Sequence, residues 1–88
     1  MHPWKVKWAD DATGQLADAW LRTGDRKQLS VAADHIDQIL AQDPRFPGKE
    51  ASEGLWRLTV APLLALYEID DNNHEVVVTA IGLVTDKT

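Results

Sequence analysis

Residues 53–82 read EGLWRLTVAPLLALYEIDDNNHEVVVTAIG, three β-like runs joined by two short turns. In the first run Trp56, Leu58 and Val60 share one face, and Leu55, Arg57 and Thr59 share the other. That is the period-2 alternation of a half-buried strand. Pro62 cannot donate to a ladder and marks a tight connection. The second run, LLALYEI, is apolar on both faces as far as Tyr67. DDNN is a turn sequence, rich in residues that tolerate positive φ. The last run, EVVVTAIGLV, is apolar on both faces, as a central strand should be.

Upstream, WKVKW alternates, with Trp4, Val6 and Trp8 on one face and Lys5 and Lys7 on the other. ADDATGQLADAWLRTG changes period: Ala12, Leu16, Ala19 and Trp20 fall at helical spacing. Asp10 or Asp11 is expected to accept from the free amides of the first turn, and Gly24 to stop the helix in a left-handed conformation. In the second helix Asp25 and Gln28 resemble a capping box, and Leu29, Ala32, Ala33, Ile36, Ile39 and Leu40 form one stripe. Pro44 ends that helix near Gln42. DPRFPGKEASEG is expected to be a polar loop with a turn at Pro47-Gly48, and TDKT a tail.

The order is therefore β-α-α-β-β-β in one α+β domain spanning residues 1–88. A small, mainly antiparallel sheet of about four strands carries a helical hairpin on one face. The expected core is Trp4, Val6, Leu16, Trp20, Ile36, Trp56 and Leu58. Two short helices cover only one face of such a sheet. Leu55, Leu63 or Leu64, and part of Val76 to Ile81 are candidates for the other, where a contiguous apolar patch would suggest a partner.

Composition narrows the function. The chain has 88 residues, 44 % of them hydrophobic, enough for one small core. No apolar run approaches the roughly 20 residues that span a bilayer, and MHPWKVKW has no apolar stretch like a secretion signal. With no cysteine, disulfides and thiolate metal sites are excluded; a cytoplasmic location and no membrane partner are expected. Nine Lys and Arg stand against fourteen Asp and Glu, a net charge of −5 that opposes approach to nucleic acid. His2, His35 and His74 lie on different elements without ligand spacing, so no metal or other cofactor is expected. Trp4, Trp8, Trp20 and Trp56 follow the apolar faces and read as core rather than as a stacking platform for bases.

The order and spacing of WKVKWADDATGQLADAW, IDQILAQDPRFPG, GLWRLTV, LLALYEID and VVVTAI resemble the RelE/ParE superfamily of toxins from bacterial toxin–antitoxin pairs, some of them plasmid-stabilising. The resemblance covers nearly the whole chain. It implies that Arg57 matches the arginine of the family's second strand and Tyr67 the tyrosine that closes the third. Lys49 lies in the loop where a basic residue often sits. These three are the candidate catalytic residues: Arg57 and Lys49 to grip a phosphate, Tyr67 to donate a proton. Their ordinary structural roles are an ion pair of Arg57 with Glu68 or Glu75, and a Tyr67 hydroxyl tied to backbone. RNA-cleaving members carry an arginine where this chain has Leu64, and a basic C-terminal segment where it has AIGLVTDKT, with only Lys87. The resemblance therefore implies a toxin-like protein that binds an antitoxin and has lost RelE-type mRNA cleavage. The alternatives are a ribosome-dependent endoribonuclease using Arg57, Lys49 and Tyr67, or a homodimeric protein that kept the fold without toxicity.

Overall fold

A computed structural model of the chain describes residues 3–46 and 48–84. Its elements are β1 (Lys5–Trp8), α1 (Asp10–Arg22), α2 (Arg26–Gln42), β2 (Lys49–Ser52), β3 (Leu55–Val60), β4 (Leu63–Asp70) and β5 (Glu75–Leu83). The strands form one sheet in the order β1-β5-β4-β3-β2. β1 runs parallel to β5, and the other neighbours are antiparallel. The α+β class and the mainly antiparallel sheet hold, but the sheet is mixed and has five strands rather than about four. The added strand is β2. Its four residues, KEAS, are all exposed, so no apolar alternation betrays it inside the expected loop.

Both helices lie on one face of the sheet, α1 over β5 and α2 over β3, β4 and β1. From below, the core receives Leu58, Leu63, Ala65, Tyr67, Val76, Val78 and Ile81. From above come Ala12, Ala19, Leu29, Ala32, Ile36 and Leu40. Val78 and Ile81 are three residues apart yet share this face, because a register shift opposite Leu66 and Tyr67 leaves Thr79 unpaired in the ladder. The expected core is thus right for Ile36 and Leu58. Trp4, Val6, Leu16, Trp20 and Trp56 are only half-buried and ring it: Trp4 and Val6 lie on or next to the edge strand β1, Leu16 and Trp20 on α1, and Trp56 on β3 beside the short edge strand β2.

Polar bonds fix the layers. The Trp8 indole donates to Asp37 of α2 at 2.6 Å, and the Ile81 amide donates to the Gln15 side chain of α1 at 2.7 Å. The Asp25 carboxylate caps α2 by accepting from the Gln28 amide at 3.1 Å. Gly24 does not supply a left-handed stop for α1: its cap is an extended Thr23. Nor do Asp10 and Asp11 cap it, since both sit inside the first turn behind Ala9. Positive φ falls on Gly54 (78°), between β2 and β3, and on His74 (54°), just after DDNN. No helix among the described residues is long and apolar enough to cross a membrane. The expected tail at 85–88, with Lys87, lies outside the described residues, as do His2 and Pro47 of the expected turn.

Candidate functional site

The face of the sheet turned away from the helices is built by register. Arg57 pairs with Lys49 on one side and Leu66 on the other, and Leu66 pairs with Ala80. One row across four strands therefore reads Lys49, Arg57, Leu66, Ala80. The next row is Thr59, Leu64 and Gly82. In the other direction Glu68 pairs with Val77, and Val77 with Lys7. The open face thus has a cationic corner, an apolar centre and a carboxylate beyond it.

Lys49 and Arg57 line a shallow concavity of about 260 Å³ with Leu58 and Thr59. Both side chains are exposed. Among the described residues no carboxylate pairs with either. Glu75 is taken by Lys7 at 3.2 Å, and Glu68, where an ion pair with Arg57 was expected, makes none. Like charges directly opposite on neighbouring strands destabilise a sheet by about 0.2–1 kcal/mol. Arg57→Gln should therefore raise the melting temperature, by about 1–8 °C for a domain this small. A fall on thermal melting would mean that Arg57 has a stabilising partner after all.

Tyr67 is not part of this corner. It is fully buried on the helix side of the sheet, and its hydroxyl donates to the Pro44 carbonyl. Burial, aided by the carboxylate of Asp43, pushes its pKa up to about 12. The fold thus brings Lys49 and Arg57 together and puts the sheet between them and Tyr67. The sequence could not settle this, because LLALYEI is apolar at both parities.

Tyr67 is the single tyrosine, so its tyrosinate absorbance can be followed alone. A raised folded pKa means that the native state holds the proton longer than the unfolded chain does. That stability is fully present below pH ~10 and is lost as pH rises toward about 12. The loss is on the order of 2–3 kcal/mol at about 1.4 kcal/mol per unit. In an alkaline titration the absorbance should rise well above pH 10, together with unfolding. A folded protein titrating near 10 would contradict the burial.

Other polar side chains lock the ends of the fold. The Arg45 guanidinium lies 6.0 and 5.9 Å from the Trp4 and Trp56 ring centres and donates to both Asp71 oxygens at 3.0 and 2.8 Å. The His74 ring stacks on that of Trp4, with centroids 3.9 Å apart. This clasp joins the α2–β2 connection to the β4–β5 turn, and the sequence reading missed it. Its only trace is DPRF, an arginine just past a helix stop. Asn73 donates to Asp70 and holds that carboxyl below its ordinary value. Among the described residues no three His, Asp or Glu side chains gather as a metal site would. A second apolar surface lies on α1, where Leu16, Ala17, Trp20 and Leu21 line a concavity of about 410 Å³.

No family model matches the sequence, nor does any curated protein. Solved structures do match. A chain of the toxin–antitoxin complex RelBE2 from Mycobacterium tuberculosis is 22 % identical, with 98 % of this chain and 97 % of that one covered at a TM-score of 0.80. A chain of the chromosomal ParDE system from P. aeruginosa is also 22 % identical, covering 97 % and 100 % at 0.65. One from the archaeal RelE-RelB complex of Pyrococcus horikoshii is 12 % identical, covering 97 % and 99 % at 0.66. At such identities it is the path of the backbone that is shared, and the chain carries the RelE/ParE toxin fold in a divergent sequence.

Proposed function

We propose that the chain is a toxin-like protein of a cytoplasmic type II toxin–antitoxin pair, that it acts by binding an antitoxin and a cellular target, and that RelE-type mRNA cleavage has been lost. The observation that carries this is the separation of the candidate residues. In-line cleavage needs donors on the phosphate and groups that move protons at the same place. Lys49 and Arg57 supply donors on the open face, while Tyr67 is buried behind the sheet with its proton held to about pH 12. Leu64 sits in the row beside them and offers no charge. The described histidines are elsewhere: His35 is on α2 and His74 is stacked on Trp4.

A second reading, a ribosome-dependent endoribonuclease, draws on the adjacency of Lys49 and Arg57, which two scattered surface cations would lack. A ribosome-programmed cleavage assay separates the two. Neither the wild type nor Arg57→Ala should cleave, while co-expression with a small protein encoded beside this chain should yield a stable complex. Robust wild-type cleavage that Arg57→Ala abolishes would overturn the binding reading and restore the enzyme.

A further inference from the structure

We propose that the Lys49–Arg57 corner is the receptor for a carboxylate side chain of a helical segment of the protein partner, which crosses the strands and lays its apolar side chains on Leu66, Ala80 and Leu64. The inference rests on the protein-binding function proposed above and specifies how that partner is held.

Charge comes first. Two cations stand directly opposite each other in the ladder, exposed and without a carboxylate among the described residues. No carboxylate among the described residues compensates their repulsion, so an external anion gains more from both together than from either alone. The kind of anion follows from the rest of the face. A nucleic acid would bring a phosphate with every nucleotide, but the same face carries Glu68 two residues beyond Leu66 on β4, and the chain has a net charge of −5. Bases would also need aromatic platforms. Trp4, Trp8, Trp56 and Tyr67 all pack toward the helices, which leaves the strands' open face without an aromatic ring. What lies beside the cations is instead Leu66, Ala80 and Leu64, half-buried and suited to aliphatic side chains.

Spacing selects the segment. Neighbouring strands are about 4.8 Å apart, so Leu66 lies one strand from Arg57 and Ala80 two strands away. A helix advances 5.4 Å per turn. A helix crossing the strands with Glu or Asp at position i over Lys49 and Arg57 therefore brings position i+4 over Leu66 and i+7 over Ala80. The partner signature is an acidic residue followed by aliphatic residues four and seven positions later.

The test uses terminally blocked helical peptides on the full chain. One carries Glu at i with Leu at i+4 and i+7; two others have Gln or Lys in place of Glu. A fourth probe is an oligouridylate. Binding is read by calorimetry and by amide NMR shifts, with melting curves as the control for folding. The Glu peptide should shift the amides of Lys49, Arg57, Leu64 and Leu66. It should lose at least tenfold in affinity on Glu→Gln in the peptide or Arg57→Gln in the protein, and the two losses should not add. Leu64→Asp should also abolish binding. Equal binding of the Glu and Gln peptides, shifts confined to α1, or tighter binding of the oligouridylate at this corner would each overturn the inference. Two further outcomes separate it from the function it rests on. A co-expressed antitoxin that binds Arg57→Gln at full affinity sinks the carboxylate receptor and leaves the function standing. A Glu peptide that grips Arg57 when no encoded antitoxin binds upholds the receptor and sinks the function.

Discussion

Tyr67→Ala should lose about 3–5 kcal/mol of stability, the usual cost of deleting a large buried ring. Small domains have roughly 5–15 kcal/mol in all, so the variant should lose a large share of its stability and melt about 12–40 °C lower. The reason is position. Tyr67 is fully buried, faces Trp56 on β3 and Val78 on β5, and reaches up to bond the Pro44 carbonyl at the end of α2. One side chain thus spans the layer from the middle of the sheet to the loop above it. Tyr67→Phe keeps the ring and removes only the hydroxyl. The buried Pro44 carbonyl is then left unpaired, at a cost of about 1–3 kcal/mol. Denaturant melts of the two variants should therefore differ in size while both fall below the wild type. A Tyr67→Ala protein as stable as the wild type would mean that this ring does not hold the fold.

What the sequence disclosed, and what it withheld, follows from how each element earns its stability. The second helix was legible because three local signals agree: the Asp25 cap, the stripe from Leu29 to Leu40 and the Pro44 stop. The strands around Arg57, Tyr67 and Val78 were legible because they bury apolar side chains. β2 was not, because KEAS is held by backbone pairing to β3 alone and leaves no mark in side-chain pattern. Missing β2 also hid the candidate site. Lys49 and Arg57 were both suspected, but their meeting depends on a hairpin register that neither residue encodes by itself. Tyr67 failed differently. Its strand is apolar on both faces, so parity could not say which side it takes, and only the helices above decide it. The missed clasp of Arg45 with Trp4, Trp56 and Asp71 is tertiary throughout, joining residues from four separate parts of the chain.

The second large effect is expected at a residue with no side chain. A Cβ added at Gly48 would lie 1.7 Å from the Tyr67 hydroxyl, 2.9 Å from the Pro44 oxygen and 3.1 Å from the carbon that bears the hydroxyl. The backbone of the loop passes directly over the one polar bond that Tyr67 makes, and no side chain fits between them. In Gly48→Ala either the ring or the loop must move. Moving the ring breaks the hydroxyl–carbonyl bond inside the core, at about 1–3 kcal/mol. The overpacking adds about 1–3 kcal/mol more. Moving the loop instead displaces Lys49, the next residue, from its place opposite Arg57. A double-mutant cycle identifies the cause. Removing the hydroxyl by Tyr67→Phe removes the atom at 1.7 Å and leaves the milder contacts at 3.1 Å with the ring and 2.9 Å with the Pro44 oxygen. Gly48→Ala should then cost much less in the Phe background than in the wild type, with a coupling of about 0.5–3 kcal/mol. Equal costs in the two backgrounds, measured by denaturant unfolding, would show that Gly48 is needed for some reason other than the close passage over Tyr67.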